Sequence, residues 1–245
     1  MSLANNSHDA SAASFSNQGL VLMEDQRFAD ASRSFNKALA ILRGRISFLS
    51  SRNNCRHGSS YCSLRRSDCF DFQDLSRDGA TGSTKMLIYE DSLPNETDLK
   101  VFDKPIFVQI PDSASCYIYN AQLSFVVLFN SALAYHLRAK ANDCQESLRK
   151  ALCRYELAYA VVLKEDLDLT TLQIMSLVNN MGEIHFQLGN SQFASRCFEY
   201  LAILSSFAKN QCDSSDTCMH AVDTIFLPNA LIRYTKEGVR SAAAA

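Results

Sequence analysis

One pattern recurs three times along the chain: an alanine, an aromatic residue four positions later, and a small or aliphatic residue three positions after that. The copies are Ala31-Phe35-Ala38, Ala151-Tyr155-Ala158 and Ala194-Phe198-Leu201. Steps of four and three place the residues of each copy on one face of a helix. Two helices approach closely only where the side chains at their crossing are small. The pattern therefore predicts three helices that each pack tightly against a neighbour.

A second signal precedes each triplet and predicts the partner helix. It consists of asparagine, any residue, then glycine or alanine, in Asn17-Gln18-Gly19, Asn130-Ser131-Ala132 and Asn180-Met181-Gly182. The asparagine lies 14 residues before the triplet in the first and third copies and 21 residues before it in the second. Because the seven extra residues amount to about two helical turns, longer helices in the second copy would keep the same inward faces. We expect three antiparallel helix hairpins.

The predicted fold is mainly α, with helices near residues 12–24, 27–43, 119–140, 144–164, 169–188 and 191–208. The domain boundaries follow as a first hairpin over 12–43, an insert over 44–118, second and third hairpins over 119–208, and a capping helix with a tail over 209–245. The capping helix is expected to kink or stop at Pro228, because proline has no N–H to continue the helical pattern. Asp143 and Asp168 are the expected caps of the two helices that follow them.

The insert divides into two parts of different composition. Residues 45–84 are polar and weakly patterned, which predicts disorder up to about residue 85. The stretches 86–89 and 101–110 are apolar and β-branched and are separated by a Leu93-Pro94-Asn95 turn signal, which predicts a short β-hairpin. Six arginines and no acidic residue occur between Arg43 and Arg66. We interpret these arginines as a solvated linker, with nuclear targeting or a nucleic-acid arm as the less favoured alternative.

The paired helices with small residues at their crossings resemble the tetratricopeptide repeat (TPR), an α-solenoid unit. The run from Leu123 to Arg138 is also similar to TPR-like proteins of diatom-type algae. The resemblance implies that the twelve small, aromatic and aliphatic positions are structural: Gly19, Ala31, Phe35, Ala38, Ala132, Ala151, Tyr155, Ala158, Gly182, Ala194, Phe198 and Leu201. It departs from the family at Leu201, where the TPR pattern has alanine, and no proline closes any copy.

The same resemblance implies a function for the three asparagines Asn17, Asn130 and Asn180. In TPR proteins an asparagine at this place lies on the concave face and bonds both the carbonyl and the N–H of an extended peptide. We therefore expect three solvent-facing asparagines that form a peptide-binding ladder in one groove. An asparagine near a helix start can instead be merely capping or solvated. A clamp for a terminal carboxylate is disfavoured, since Ser16, Leu20 and Ser176 stand where its cations would be needed.

Composition excludes several other classes of function. The net charge of −2 over 245 residues gives no chain-wide attraction to nucleic acid or to an anionic membrane, and no stretch has the roughly 18 apolar residues of a membrane span. The odd count of nine cysteines, together with an N-terminus that has no apolar leader, predicts reduced thiols and a cytoplasmic protein, with the nucleus as an alternative.

No catalytic or metal site is predicted. The Cys-x-His pairs at Cys55 and Cys218 have no Cys-x-x-Cys knuckle beside them, and His136 and His185 fit core positions of predicted helices. We therefore expect a non-enzymatic adaptor that needs no cofactor or metal and binds a protein or an extended peptide. The alternatives are a structural or self-associating subunit that docks by its convex face and, less favoured, an enzyme or sensor with the insert folded over the groove.

Overall fold

A computed structural model describes residues 2–43, 99–107, 116–167, 169–211 and 216–231. The expected disordered stretch 45–84 and the first arm of the expected β-hairpin lie outside these residues. The described residues are mainly α-helical and form antiparallel helix hairpins, which confirms the predicted fold class. They divide into two compact units, and the chain passes between them at Phe102 and Asp103 and again at Leu169 and Thr170.

The first unit contains two helix hairpins and residues 103–107. Its helices are α1 (Ser2–Glu24), α2 (Phe28–Arg43), α3 (Cys116–Asn142) and α4 (Gln145–Glu165). Helix α2 buries a single stripe that includes Ala31, Phe35 and Ala38, as the triplet spacing predicts. A Cβ atom on Gly19 of α1 would lie only 2.6 Å from the Phe35 ring, so the glycine lets this ring sit directly against the backbone of α1.

The two hairpins of the first unit pack together through α2 and α3, although 72 residues separate these helices in the sequence. A polar bridge crosses the contact. The Arg154 guanidinium donates to Asn36 Oδ1 at 2.9 Å, and Asn36 Nδ2 donates to the Tyr135 hydroxyl at 3.3 Å. Burial lowers the pKa of Arg154. Beneath the bridge, the Phe129 and Tyr155 rings meet edge to face at 5.5 Å in the core.

The second unit contains the third hairpin, a terminal helical segment and residues 99–102. Its helices are α5 (Thr171–Gln187), α6 (Ser191–Gln211) and α7 (Asp216–Ala221). A Cβ on Gly182 of α5 would lie 2.9 Å from both the Cys197 Cβ and the Phe198 ring of α6. This is the same arrangement as at Gly19, in which the glycine of the first helix receives the aromatic residue of the triplet on the second.

The terminal segment does not stop at Pro228. A π-helical turn over Val222–Phe226 follows α7, and residues 227–231 continue as helix. The N–H of Leu227 donates to the carbonyl of Val222 across five residues instead of four. This wider turn immediately precedes the proline, whose missing N–H and bulky ring disturb an ordinary helix. The expected stop at Pro228 is thus wrong, because the helix continues past it, whereas the expected kink stays a prediction.

Two expected helix caps are also wrong by one or two residues. Helix α5 is capped by Thr170, whose hydroxyl accepts from the Gln173 N–H while the Gln173 side chain accepts from the Thr170 N–H. Asp168, the expected cap, lies outside the described residues. Helix α4 has Cys144 at its N-cap, because Asp143 takes the left-handed conformation that turns the chain out of α3.

All twelve structural repeat residues are buried in their respective units. The expected strand over 101–110 is not formed in its described part, since residues 101–107 have no strand partner. The backbone groups of Phe102 and Ile106 are instead bonded by asparagine side chains of the helices.

Candidate functional site

Residues 99–107, called here the internal segment, are extended, with residues 99–102 in the second unit and residues 103–107 in the first. Val101, Phe102 and Ile106 are buried, whereas Lys100, Asp103, Lys104 and Phe107 are exposed. Pro105 favours this conformation, because a proline restricts the residue before it to extended backbone angles. The segment is therefore held by its buried apolar side chains and by the groups that form hydrogen bonds with its backbone.

In the first unit, the backbone of the internal segment is held by Asn130 of α3. Asn130 Oδ1 accepts from the Ile106 N–H at 2.9 Å, and Asn130 Nδ2 donates to the Ile106 carbonyl at 2.8 Å. A primary amide presents one acceptor and two donors, so it can satisfy both groups of an extended residue as a neighbouring strand would. Asn130 is fully buried in this arrangement.

In the second unit, Asn180 of α5 repeats the contact on Phe102. The Phe102 N–H donates to Asn180 Oδ1 at 2.8 Å, and Asn180 Nδ2 donates to the Phe102 carbonyl at 3.0 Å. The Phe102 ring stacks on Phe226 of the π turn, with the ring centroids 5.6 Å apart and the planes inclined by 29°. Asn180 is also fully buried. Two of the three asparagines thus pair with an extended residue of the same chain, and binding of a partner peptide stays a prediction.

A further asparagine, Asn229, holds Lys100 in the same way and was not predicted from the sequence. The Lys100 N–H donates to Asn229 Oδ1 at 3.0 Å, and Asn229 Nδ2 donates to the Lys100 carbonyl at 2.7 Å. Asn179 supports this contact, because its Nδ2 donates to the Lys100 carbonyl at 3.0 Å and its Oδ1 accepts from Asn229 Nδ2. The available signal was a lone amide, Asn229, inside an otherwise apolar run.

The three predicted asparagines therefore differ in environment. Asn17 of α1 is exposed, and it makes no hydrogen bond to residues 99–107. Asn130 and Asn180 were expected to face solvent, and this expectation is wrong because the chain's own residues cover them. The amides recognise backbone as predicted, but the backbone they hold belongs to the same chain.

The histidines considered in the sequence lie in the cores of the units. His136 is fully buried and meets the Tyr155 ring edge to face at 6.2 Å. His185 stacks on Phe193 at 5.3 Å, and burial lowers its pKa to about 4. Both imidazoles are buried and contact an aromatic ring, so both contribute to core packing.

Within 2–43, 99–107, 116–167, 169–211 and 216–231, no cluster of three or more histidine, cysteine or acidic side chains is placed to hold a metal ion. In the same ranges, no helix combines the length and apolarity needed to cross a membrane.

Comparison with known proteins identifies no family. No protein-family model, no curated protein and no solved structure matches this chain.

Proposed function

We propose that the chain is a non-enzymatic, TPR-like adaptor that binds an extended segment of a partner protein at its buried asparagines. The observation that carries the proposal is the paired hydrogen bonding of one asparagine to the N–H and carbonyl of one extended residue. It occurs at Asn130 in the first unit and at Asn180 in the second. Because such contacts bind backbone groups, they can form with any extended peptide whose side chains fit next to the asparagines.

The internal segment is, in this proposal, a ligand that a partner replaces. It contributes no helix of its own, and its hold rests on the asparagine pairs and three buried side chains, Val101, Phe102 and Ile106. Fifty-five residues separate it from α2 and eight from α3, so the chain length allows it to leave without unfolding a helix. Loop closure costs little more for a long connection than for a short one.

The test uses a variant with Phe102→Ala and Ile106→Ala in the internal segment, called here the opened variant. These substitutions weaken the packing of the internal segment against the helices and leave the asparagines unchanged. A fluorescent peptide with the sequence of residues 99–107 should bind the opened variant, as measured by anisotropy. Adding Asn180→Ala should weaken binding by a factor of about 5 to 150, because two hydrogen bonds of about 0.5 to 1.5 kcal/mol each are lost.

Asn142→Ala is the matched control, since Asn142 is exposed at the end of α3 and bonds only locally to the Arg138 carbonyl. It should leave the affinity of the opened variant unchanged. If the peptide does not bind while circular dichroism shows intact helices, peptide recognition is refuted. That result would favour the alternative of docking by an outer helix face, where Ile203 and Phe207 of α6 are exposed one turn apart.

A further inference from the structure

We propose that the second unit selects its extended ligand by two side chains, a lysine or arginine and an aromatic residue two positions later. This inference rests on the proposed function and names the class of ligand that the site takes. The internal segment supplies the pattern, with Lys100 and Phe102 held by neighbouring groups of the second unit.

The backbone contacts fix the spacing of the two side chains. Asn229 pairs with the N–H and carbonyl of Lys100, and Asn180 pairs with those of Phe102. In an extended chain, residues two apart present their backbone groups to the same edge and their side chains to the same face. Asn179 donates to Asn180 Oδ1 at 3.1 Å and accepts from Asn229. These two bonds fix the distance between the side chains of Asn180 and Asn229.

The position of the cation is set by the helical segment that contains Pro228. Lys100 Nζ donates to the carbonyl of Thr224 at 3.2 Å. In an ordinary helix this carbonyl would accept from the N–H four residues later, but that residue is Pro228, which has none. A helix carbonyl oxygen carries partial negative charge, so this one, which lacks its usual donor four residues later, suits a cationic side chain.

The aromatic position is set by Phe226. The Phe102 ring is buried and stacks on the fully buried Phe226 ring, so an aliphatic side chain would lose part of the contact. Phe226 belongs to the same π turn as Thr224, and both positions are therefore defined by one element of the fold. The π turn acts as the specificity-determining element, while the asparagines accept any extended backbone.

The test measures the opened variant against four nine-residue fluorescent peptides. One has the sequence of residues 99–107, and the others change it by Lys100→Glu, Phe102→Ala or Lys104→Glu. Lys104 is the matched control, because its side chain is exposed and its ion-pair partner among the described residues is the neighbouring Asp103, at 3.8 Å. We expect the Lys100→Glu and Phe102→Ala peptides to bind at least tenfold more weakly than the parent, and the Lys104→Glu peptide to bind within threefold of it.

Equal weakening by Lys100→Glu and Lys104→Glu would show general electrostatic attraction and overturn the inference, while peptide binding itself would stand. If none of the peptides binds, the inference and the proposed function fall together. Because the opened variant has two truncated core side chains, a second measurement uses the wild-type chain. A peptide with benzoylphenylalanine in place of Phe102 should crosslink to the second unit near Phe226, with at least threefold lower yield when Lys100→Glu is added and an unchanged yield with Lys104→Glu.

Discussion

Replacing Asn130 by alanine removes both hydrogen bonds that hold the Ile106 backbone in the first unit. If the internal segment stays in place, a buried N–H and a buried carbonyl are left unpaired, at about 1 to 3 kcal/mol each. Two such groups at the low end of that range lower the free energy of holding the segment by about 2 kcal/mol, which is the change that we expect.

Amide hydrogen exchange measures this change where it occurs. The Ile106 N–H is protected by its bond to Asn130 Oδ1, so its exchange under native conditions reports release of the segment. A loss of about 2 kcal/mol corresponds to exchange faster by a factor of about 30. Urea denaturation followed by circular dichroism gives the accompanying loss of global stability, which is smaller when the segment opens without unfolding the helices.

Two alanine variants serve as controls for the Asn130 substitution. Asn142→Ala removes an exposed amide from the same helix, and Asn17→Ala removes an exposed amide from the aligned position of α1. Both should change stability by less than about 0.5 kcal/mol and leave exchange at Ile106 unaltered. If Asn130→Ala behaves like these two variants, Asn130 does not hold the internal segment and the reasoning is refuted.

Two further predictions concern the cores of the units. Gly19→Ala should destabilise the first unit in urea by about 1 to 3 kcal/mol through overpacking, because the new Cβ would lie 2.6 Å from the Phe35 ring. A stabilised variant would contradict the close approach, since Gly→Ala in an open helix gains about 1 kcal/mol. Burial lowers the pKa of His185 from 6.5 to about 4 in the folded chain. Between these pH values the His185 imidazole is therefore protonated in the unfolded chain and neutral in the folded chain. Stability should therefore fall by about 3 kcal/mol as the pH drops through that window, and His185→Phe should remove that part of the pH dependence.

The helix hairpins were predictable because their signals are local. Alanine and aromatic residues spaced by four and three define one helix face wherever they occur, and Gly19 and Gly182 each receive the aromatic residue of the following triplet. The packing of α2 against α3 across the insert also followed, since the second hairpin needed the first as a neighbour. The wrong helix caps reflect competition between adjacent polar residues, of which the sequence contains several at each helix start.

The occupant of the asparagine sites was not predictable from local patterns. The β-branched and aromatic residues of 101–107 did indicate an extended backbone, but their partner is a set of side-chain amides instead of a second strand. The pairs Phe102–Asn180 and Ile106–Asn130 join residues 78 and 24 positions apart. Asn229 was missed because Pro228 reads as the end of a helix, whereas the π turn before it allows the helix to continue.

Covalent attachment gives the internal segment a large advantage over any free ligand. A tethered segment acts at an effective concentration of about 1 mM, so a site with an intrinsic Kd of about 10 µM would be vacant in only about one molecule in 100. An external peptide would then bind with an apparent Kd of about 1 mM, because the intrinsic Kd is divided by the vacant fraction. The asparagine contacts cannot overcome this difference, since they bond the backbone of either competitor equally. A partner that merely repeats the sequence of residues 99–107 would therefore lose by mass action, and a successful one must present a better cation and aromatic pair or bind at a further surface.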